Sequence, residues 1–351
     1  MGLEQAAMPV FAGHQTFHPR FGWIKKGFDA ASTNSFVFAE PDAPVKLGVG
    51  KNMAEAIRFW CVATKVLVRK PHPTRSRQSV YLPTNLGEAL LGEGGLDPFM
   101  EDPSSLWMLH WQALSHQSSL PIWWSVFNDF PGIEFSEDEL VRYCADEIAA
   151  TTWSQPKETS VRKDVDCLLR MYTTRQTRHR QSIDEMLDSP FRDLGLITPA
   201  ASGDRTYRFV RGKKPTMSAI AVAYACLDFL AVSDPDARTA SMNRLAADPG
   251  SPGRLLKLTE DSIAAAIEEV SGLSEQISLA SPAGTSQLVV DGEPAAVASQ
   301  LLNRYHADRG IDRVAGGNPV AGIEARQAAP TADEIFDVRE IEPQAKAGAK
   351  Q

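Results

Sequence analysis

Ser160-Val161-Arg162-Lys163-Asp164-Val165-Asp166-Cys167-Leu168-Leu169-Arg170 carries two patterns at once. Val161, Val165, Leu168 and Leu169, with Tyr172 beyond them, recur at the spacing of one helix face and turn inward, leaving Arg162, Lys163 and Asp166 for the outside. Upstream, Ser136 stands three residues before Glu139. That pair predicts a capping box opening a helix whose apolar face holds Leu140, Val141, Cys144 and Ile148. A polar connection through Ser154-Gln155-Pro156 joins the two helices. Downstream, Leu194-Gly195-Leu196-Ile197 and Thr206-Tyr207-Arg208-Phe209-Val210-Arg211 are strand-like segments separated by the turn Ala201-Ser202-Gly203-Asp204. Helix, turn, helix and basic hairpin is the order of a winged helix. Its second helix would enter a major groove, with Arg205, Arg208 and Arg211 near phosphates. Winged helices also bind proteins, so the fold leaves the ligand open.

Outward from this centre, the pattern predicts a mainly α protein with small β-hairpins: winged helix-turn-helix domains followed by a C-terminal helical region. An N-terminal basic helical domain spans residues 10–100 and the central domain residues 101–214. In the first, Met53, Ile57, Trp60, Cys61, Thr64, Leu67 and Val68 form a mostly apolar stripe of helical period, with Arg58, Lys65 and Arg69 beside it. The basic loop Lys70-Pro71-His72-Pro73-Thr74-Arg75-Ser76-Arg77 interrupts that helix, because proline fixes φ and removes a donor. Five of the 7 tryptophans lie between positions 107 and 153, which is read as a core or a seam between domains. An α/β region is expected at 215–310, with Thr259 capping a helix and Gln287-Leu288-Val289-Val290 as a strand. Residues 311–351 have little to bury and are expected to be a disordered tail.

The chain has a net charge of -8, so it does not coat a polyanion along its whole surface, and any such contact is local. Residues 14–80 hold 11 Lys/Arg against 4 Asp/Glu, residues 157–180 hold 7 against 3, and residues 81–156 hold 1 against 12. Segregation of this kind fits either a nucleic-acid face or patches of opposite sign docked against each other within the fold. No apolar run is long enough to span a membrane, and the first residues lack the pattern of a secretory signal. Cys61, Cys144, Cys167 and Cys226 stand far apart in apolar helical patterns, which predicts reduced buried thiols and a cytoplasmic setting.

The chemistry-bearing stretch is Gly13-His14-Gln15-Thr16-Phe17-His18-Pro19-Arg20-Phe21-Gly22-Trp23-Ile24-Lys25-Lys26-Gly27. Imidazole transfers protons, and guanidinium or ammonium stabilises charge on a phosphodiester. His14, His18 and Arg20 are therefore the catalytic candidates. Lys25, Lys26, Lys51, Arg58, Arg75, Arg77, Arg162, Lys163, Arg205, Arg208 and Arg211 are the candidates for nucleic-acid contact. Phosphate binding without chemistry and a purely structural role remain open for the histidine group. Asp97, Glu101 and Asp102 are the nearest acidic grouping that could hold a divalent metal, magnesium or manganese, and are equally readable as a solvated turn. Gly48-Val49-Gly50-Lys51 is too short for a phosphate-binding loop.

Phe11-Ala12-Gly13-His14-Gln15-Thr16-Phe17 with Arg20-Phe21-Gly22-Trp23-Ile24-Lys25-Lys26-Gly27, then Gly48-Val49-Gly50-Lys51-Asn52-Met53, Asp97-Pro98 and Leu106-Trp107, resembles a bacterial family long known only as an uncharacterised domain. The similarity runs over about residues 10–300. That family looks like the SspB component of the Ssp DNA phosphorothioation and phage-defence systems. The resemblance implies a sequence-selective protein that nicks one strand of double-stranded DNA, a metal-dependent endonuclease working with an ATPase and sulfur-transfer proteins. It supplies no catalytic positions. Two other functions stay open: a noncatalytic winged-helix regulator or DNA-recognition subunit, and a protein-protein adaptor of a modification complex. A homodimer is also open.

Overall fold

A helix, two or three further helices and an antiparallel strand pair follow one another three times along the chain, with a short strand after the first helix in the second and third repeats. The computed structural model describes residues 1–72, 78–173, 189–202 and 205–308. Arg75 and Arg77, the Gly203-Asp204 turn and the 311–351 tail lie outside the described residues.

A one-turn helix α1 (Leu3–Ala6) precedes the first unit, which comprises α2 (Trp23–Thr33), α3 (Ala43–Leu47), α4 (Lys51–Ala63) and the hairpin β1 (Leu67–Pro71) and β2 (Ser79–Pro83). Gly27 lets α2 and α4 cross closely, since a Cβ there would stand 2.4 Å from the Cys61 Sγ. The helix expected to continue through Leu67 and Val68 instead stops at Ala63. Lys65 turns into the left-handed region at φ 60, and Val66 N–H returns to the Cys61 carbonyl at 3.1 Å. This is a helix-terminating turn, after which Leu67 and Val68 pair with Pro83 and Leu82. Helix α5 (Asn85–Leu91) starts from Thr84, whose hydroxyl accepts the Gly87 N–H at 3.0 Å.

Helix α6 (Pro103–Leu114) is buried at every position from Ser104 to Leu114 and packs between elements of the second and third units. The second unit follows: α7 (Pro121–Asn128), β3 (Glu134–Ser136), α8 (Glu137–Ala149), α9 (Glu158–Tyr172), a 3-10 turn at Pro190–Leu194, and strands β4 (Ile197–Pro199) and β5 (Thr206–Phe209). The capping box forms as expected: Ser136 N–H donates to the Glu139 carboxylate at 2.7 Å, and Glu139 N–H donates to the Ser136 hydroxyl at 3.3 Å. The sheet order is β3-β5-β4, antiparallel throughout, with Phe135 opposite Tyr207 and Ile197 opposite Phe209.

The C-terminal region, expected to be α/β, takes the form of a third winged unit. Helix α10 (Ala219–Ser233), β6 (Thr239–Ser241), α11 (Met242–Ala247), α12 (Pro252–Leu255), α13 (Glu260–Ser271), β7 (Ile277–Ala280) and β8 (Gln287–Val290) repeat the second unit's arrangement, with sheet order β6-β8-β7. Thr259 caps α13 as expected, accepting from Ser262 N–H at 3.3 Å. Helix α14 (Pro294–Asp308) packs on α10. Trp107, Trp111, Trp123 and Trp124 are all buried, as the reading of the tryptophans as core requires, and all four cysteines are free and buried.

Buried polar ties join these units. His110 on α6 accepts the Tyr172 hydroxyl at Nδ1 (2.7 Å) and donates from Nε2 to the Leu255 carbonyl (3.0 Å). Its neutral form is enforced by burial, which drives its pKa down to about 4. Lys214 donates to the Leu256 and Lys257 carbonyls at 2.6 and 2.9 Å, and Lys257 to the Phe127 carbonyl at 2.6 Å. Burial lowers both amines to about 7. Above pH 7 the folded protein holds these amines neutral while the unfolded chain still binds their protons, so stability rises with pH. Urea unfolding between pH 7 and 8.5 should show this rise, and Lys257→Met should flatten it. An unchanged slope in the variant would remove Lys257 as its source.

Candidate nucleic-acid interface

The segment Phe11–Arg20 lies between α4 and α9. Gly13 rests on Phe59, where a Cβ would meet the ring at 2.7 Å. His14 is fully buried and caged by Phe59, Trp60 and Trp123, with ring centroids 5.8–6.1 Å away. Its Nδ1 accepts the Thr16 N–H at 3.1 Å. The proton of the neutral ring is therefore on Nε2, which donates to Asp164 Oδ1 at 2.6 Å. Asp164 also accepts the Ala12 N–H at 2.9 and 3.1 Å. Burial pushes the Asp164 carboxyl above its ordinary value, opposed by the His14 bond. Both ring nitrogens of His14 are thus committed inside an aromatic cage. The expected catalytic role gives way to a structural one: His14 holds the N-terminal segment against α9.

That clamp delivers the next residues to the far end of α9. Arg170 donates to the Thr16 carbonyl at 2.6 Å and pairs with Asp166 at 2.9 Å. Arg192, from the 3-10 turn, donates to the Arg170 carbonyl at 3.2 Å, a cation at a helix C-terminus. Arg20 stacks its guanidinium on Phe17 and Trp23, 5.8 and 5.3 Å from the ring centroids. His18 sits among them. Burial lowers its pKa to about 3, helped by the charges of Arg170, Arg192 and Arg20. Neither ring nitrogen of His18 has a hydrogen-bond partner, nor does Arg170 Nε, and all three atoms are shut off from solvent. The structure therefore brings His18 and Arg20 together with two arginines that sequence reasoning missed. Arg170 was legible only as the last residue of the quoted helix, and Arg192 lies twenty-two positions further on.

The other candidates are dispersed. Arg162 is neutralised by Asp138 (2.7 Å), Glu158 (3.5 Å) and Glu137 (4.0 Å), so the predicted basic centre of α9 is an internal ion-pair network. Asp138 is correspondingly held below its usual value, first by the Arg162 hydrogen bond. Lys163 is exposed on α9 with no ion pair among the described residues. Arg205, Arg208 and Arg211 are exposed on and beside the wing, Arg208 in register with Glu134. Lys25 pairs with Asp29 at 2.5 Å, and Lys26 donates to the Leu47 carbonyl. Lys51 is exposed at the start of α4, while Arg58 lies over the Tyr81 ring.

The Asp97, Glu101 and Asp102 grouping is a capping turn. Asp97 accepts the Glu101 and Asp102 N–H groups at 2.9 and 3.0 Å and the Ser105 hydroxyl at 2.5 Å, while Asp102 caps Ser104 N–H at 2.9 Å. Backbone donors consume the oxygens a cation would need. Among the described residues no three His, Cys, Asp or Glu side chains converge as metal ligands, and no helix is long and apolar enough to cross a membrane.

A family described as "Protein of unknown function (DUF4007)" matches residues 11–306. Two solved structures match nearly end to end. One, described as a magnesium ion-bound SspB crystal structure, has 35% identity and a TM-score of 0.84, covering 93% of this chain and 95% of the other. This chain belongs to the SspB and DUF4007 family. A second SspB crystal structure gives 35% identity and a TM-score of 0.83, covering 91% and 94%. No curated protein matches. At this similarity the SspB structures share the overall architecture described above.

Replacing Asp164 with Ala would leave two buried donors, Ala12 N–H and His14 Nε2–H, without acceptors. At roughly 1–3 kcal/mol for each stranded group, a loss of about 2–6 kcal/mol in urea unfolding is expected. A loss under ~1 kcal/mol would mean that the clamp does not hold the segment.

Proposed function

We propose that this chain is a DNA-binding component of phosphorothioation-linked defence that nicks one strand of duplex DNA. The observation that carries this reading is the near end-to-end similarity to SspB, at 35% identity over 93% of the chain. The local geometry supports the DNA-binding half. Lys163, Arg205, Arg208 and Arg211 are exposed on the second unit's α9 and wing, the two elements by which winged helices meet duplexes. These cations would lie along phosphates and account for salt-dependent affinity on an otherwise anionic chain.

Magnesium bound to the similar SspB supports a magnesium-dependent reaction, since the ion neutralises charge on a phosphodiester and polarises its oxygens. The Asp97 turn does not fit that ion, because its carboxylate oxygens already accept three hydrogen bonds. Magnesium takes only one or two protein carboxylates beside substrate phosphates and water, so other acids of this chain would hold it. An ATPase and sulfur-transfer proteins are the partners this reading implies.

One observation favours a second reading, a DNA-recognition subunit without its own chemistry: His14 is locked by Thr16 and Asp164 and cannot serve as a base. Incubation with supercoiled plasmid separates the two. Open-circular product that requires magnesium and disappears with chelator supports nicking, whereas binding without product supports the recognition subunit. Lys163→Glu should weaken duplex binding about equally across sequences and reduce the salt slope by about 1 for the lost phosphate contact. Affinity and slope unchanged would take α9 out of the interface.

A further inference from the structure

A cleft of about 300 Å³ opens where the second unit meets the third, between the end of α7, the residues after β5 and the stretch around α12. Its lining brings together three cationic side chains, Arg211, Arg254 and Lys257, and one carboxylate, Asp129. Arg254 is fixed in place. Its Nε donates to the Ala247 carbonyl at 2.6 Å, and its Nη1 donates to the Asn128 carbonyl and to Asp129 Oδ1, both at 3.0 Å. The Nη2 N–H groups are left without an acceptor among the described residues. Asp129 Oδ1 also accepts the Asn128 amide at 2.7 Å, so the one acid of the cleft is engaged by Arg254 and Asn128.

The other two cations have no carboxylate of their own. Lys257 donates to the Phe127 carbonyl at 2.6 Å, and its amine lies 4.1 Å from the centroid of the Phe209 ring. Arg211 is exposed and makes no ion pair among the described residues. Glu147, which acts on Asp129, and Glu260 and Asp261 at the start of α13 lie outside the lining. One carboxylate therefore answers two guanidiniums and an amine. Beyond its burial, Lys257 is opposed by Arg211, Lys214 and Arg254 and favoured only by Asp129, which places both guanidiniums of the cleft within reach of that amine. Cations gathered in a partly desolvated cleft repel one another, and an anion between them removes that cost.

The donors specify the anion. A guanidinium offers N–H groups and no acceptor, and its planar fork matches the oxygens of phosphate. Anchoring of Arg254 on two backbone carbonyls pre-positions Nη2, which lowers the ordering cost of binding. The cavity stands at the small end of the roughly 300–1,000 Å³ typical of ligand sites, room for one phosphate group and its water.

We propose that this cleft binds a single phosphate group, with Arg211 and Arg254 Nη2 as its donors and Lys257 adding positive charge from the buried side. A bound phosphate would thereby bridge the second and third units. The site stands without the DNA-binding reading, because a duplex backbone beside the wing and a small phosphorylated ligand present the same chemistry.

The test uses the full chain with inorganic phosphate as the probe. Calorimetric titration at pH 7 should saturate at one equivalent, and phosphate should raise the midpoint of thermal unfolding, since a ligand of the folded state stabilises it. Arg211→Gln should weaken binding tenfold or more, and Arg254→Gln likewise. Arg254 also ties Asn128 to Ala247, so Arg211→Gln, at an exposed side chain without an ion pair, decides the matter where Arg254→Gln fails to fold. Lys213→Gln, exposed and outside the lining, should bind phosphate within twofold of the parent. Duplex DNA that displaces the ion assigns the site to the backbone, and phosphate that stays bound beside the duplex assigns it to a small phosphorylated ligand. A chain that binds phosphate and no duplex keeps the site and loses the DNA reading. The site is overturned by phosphate that never saturates at millimolar concentration, by Arg211→Gln binding within twofold of the parent, or by Lys213→Gln losing as much as Arg211→Gln.

Discussion

One buried carboxylate organises the junction between the first two units. Asp164 lies on the inward face of α9, where an ionised group without partners would cost several kcal/mol. Its partners come from the N-terminal segment: the Ala12 N–H and the His14 ring. Satisfying the charge therefore fixes a stretch of chain 150 to 152 positions away in sequence. Once Gly13 and His14 are seated against Phe59 and Trp60, Phe17 offers its carbonyl to the Trp60 indole at 2.9 Å and Thr16 offers its own to Arg170. The positions of His18 and Arg20 follow from that sequence of contacts.

The same clamp decides where positive charge is available. Helix α4 is the second-helix equivalent of the first unit, yet its Phe59 and Trp60 lie under the N-terminal segment, leaving Lys51 exposed at its start. On α9, Arg162 is consumed by three carboxylates from α8 and its own first turn. Exposed pairs of this kind add little stability, but they cancel the field that would draw a polyanion. Positive charge instead concentrates at the C-terminal end of α9, where the helix dipole favours cations.

Much of the fold was legible because its signals are local. The Ser136 and Glu139 box, the Thr259 cap, the inward stripe of α9 and the Thr206–Phe209 strand all follow from residues within one or two turns of each other. The end of α4 was missed because Leu67 and Val68 continue a helical stripe by residue type; the left-handed turn at Lys65, a residue with no special preference for it, is what breaks the register. The third winged unit was hidden because its first strand has three residues and its middle helix is split into α11 and α12 around Asp248–Ser251. The site was legible only in half: His18 and Arg20 stand in an unusual phrase, whereas Arg170 and Arg192 join them through tertiary contacts. The acidic trio was misleading because sequence shows which carboxylates are near one another and not which backbone N–H groups already bind them.

The three units share one architecture and part company at the helix that reads a groove in DNA-binding relatives of the fold. In the first, that helix is largely covered by the chain itself. In the second it is neutralised at its start and cationic at its end. In the third, α13 exposes Glu260, Asp261, Glu268 and Glu269 around a buried stripe of Ile263, Ile267 and Val270. No cation of α13 offsets these four carboxylates, so its exposed face carries one sign of charge. Repetition of a fold therefore does not multiply a binding site. Exposed positive charge on these units narrows to the second unit's wing and α9, and the third unit is tied to that body through His110, Lys214 and Lys257, buttressing the core on which α9 is mounted.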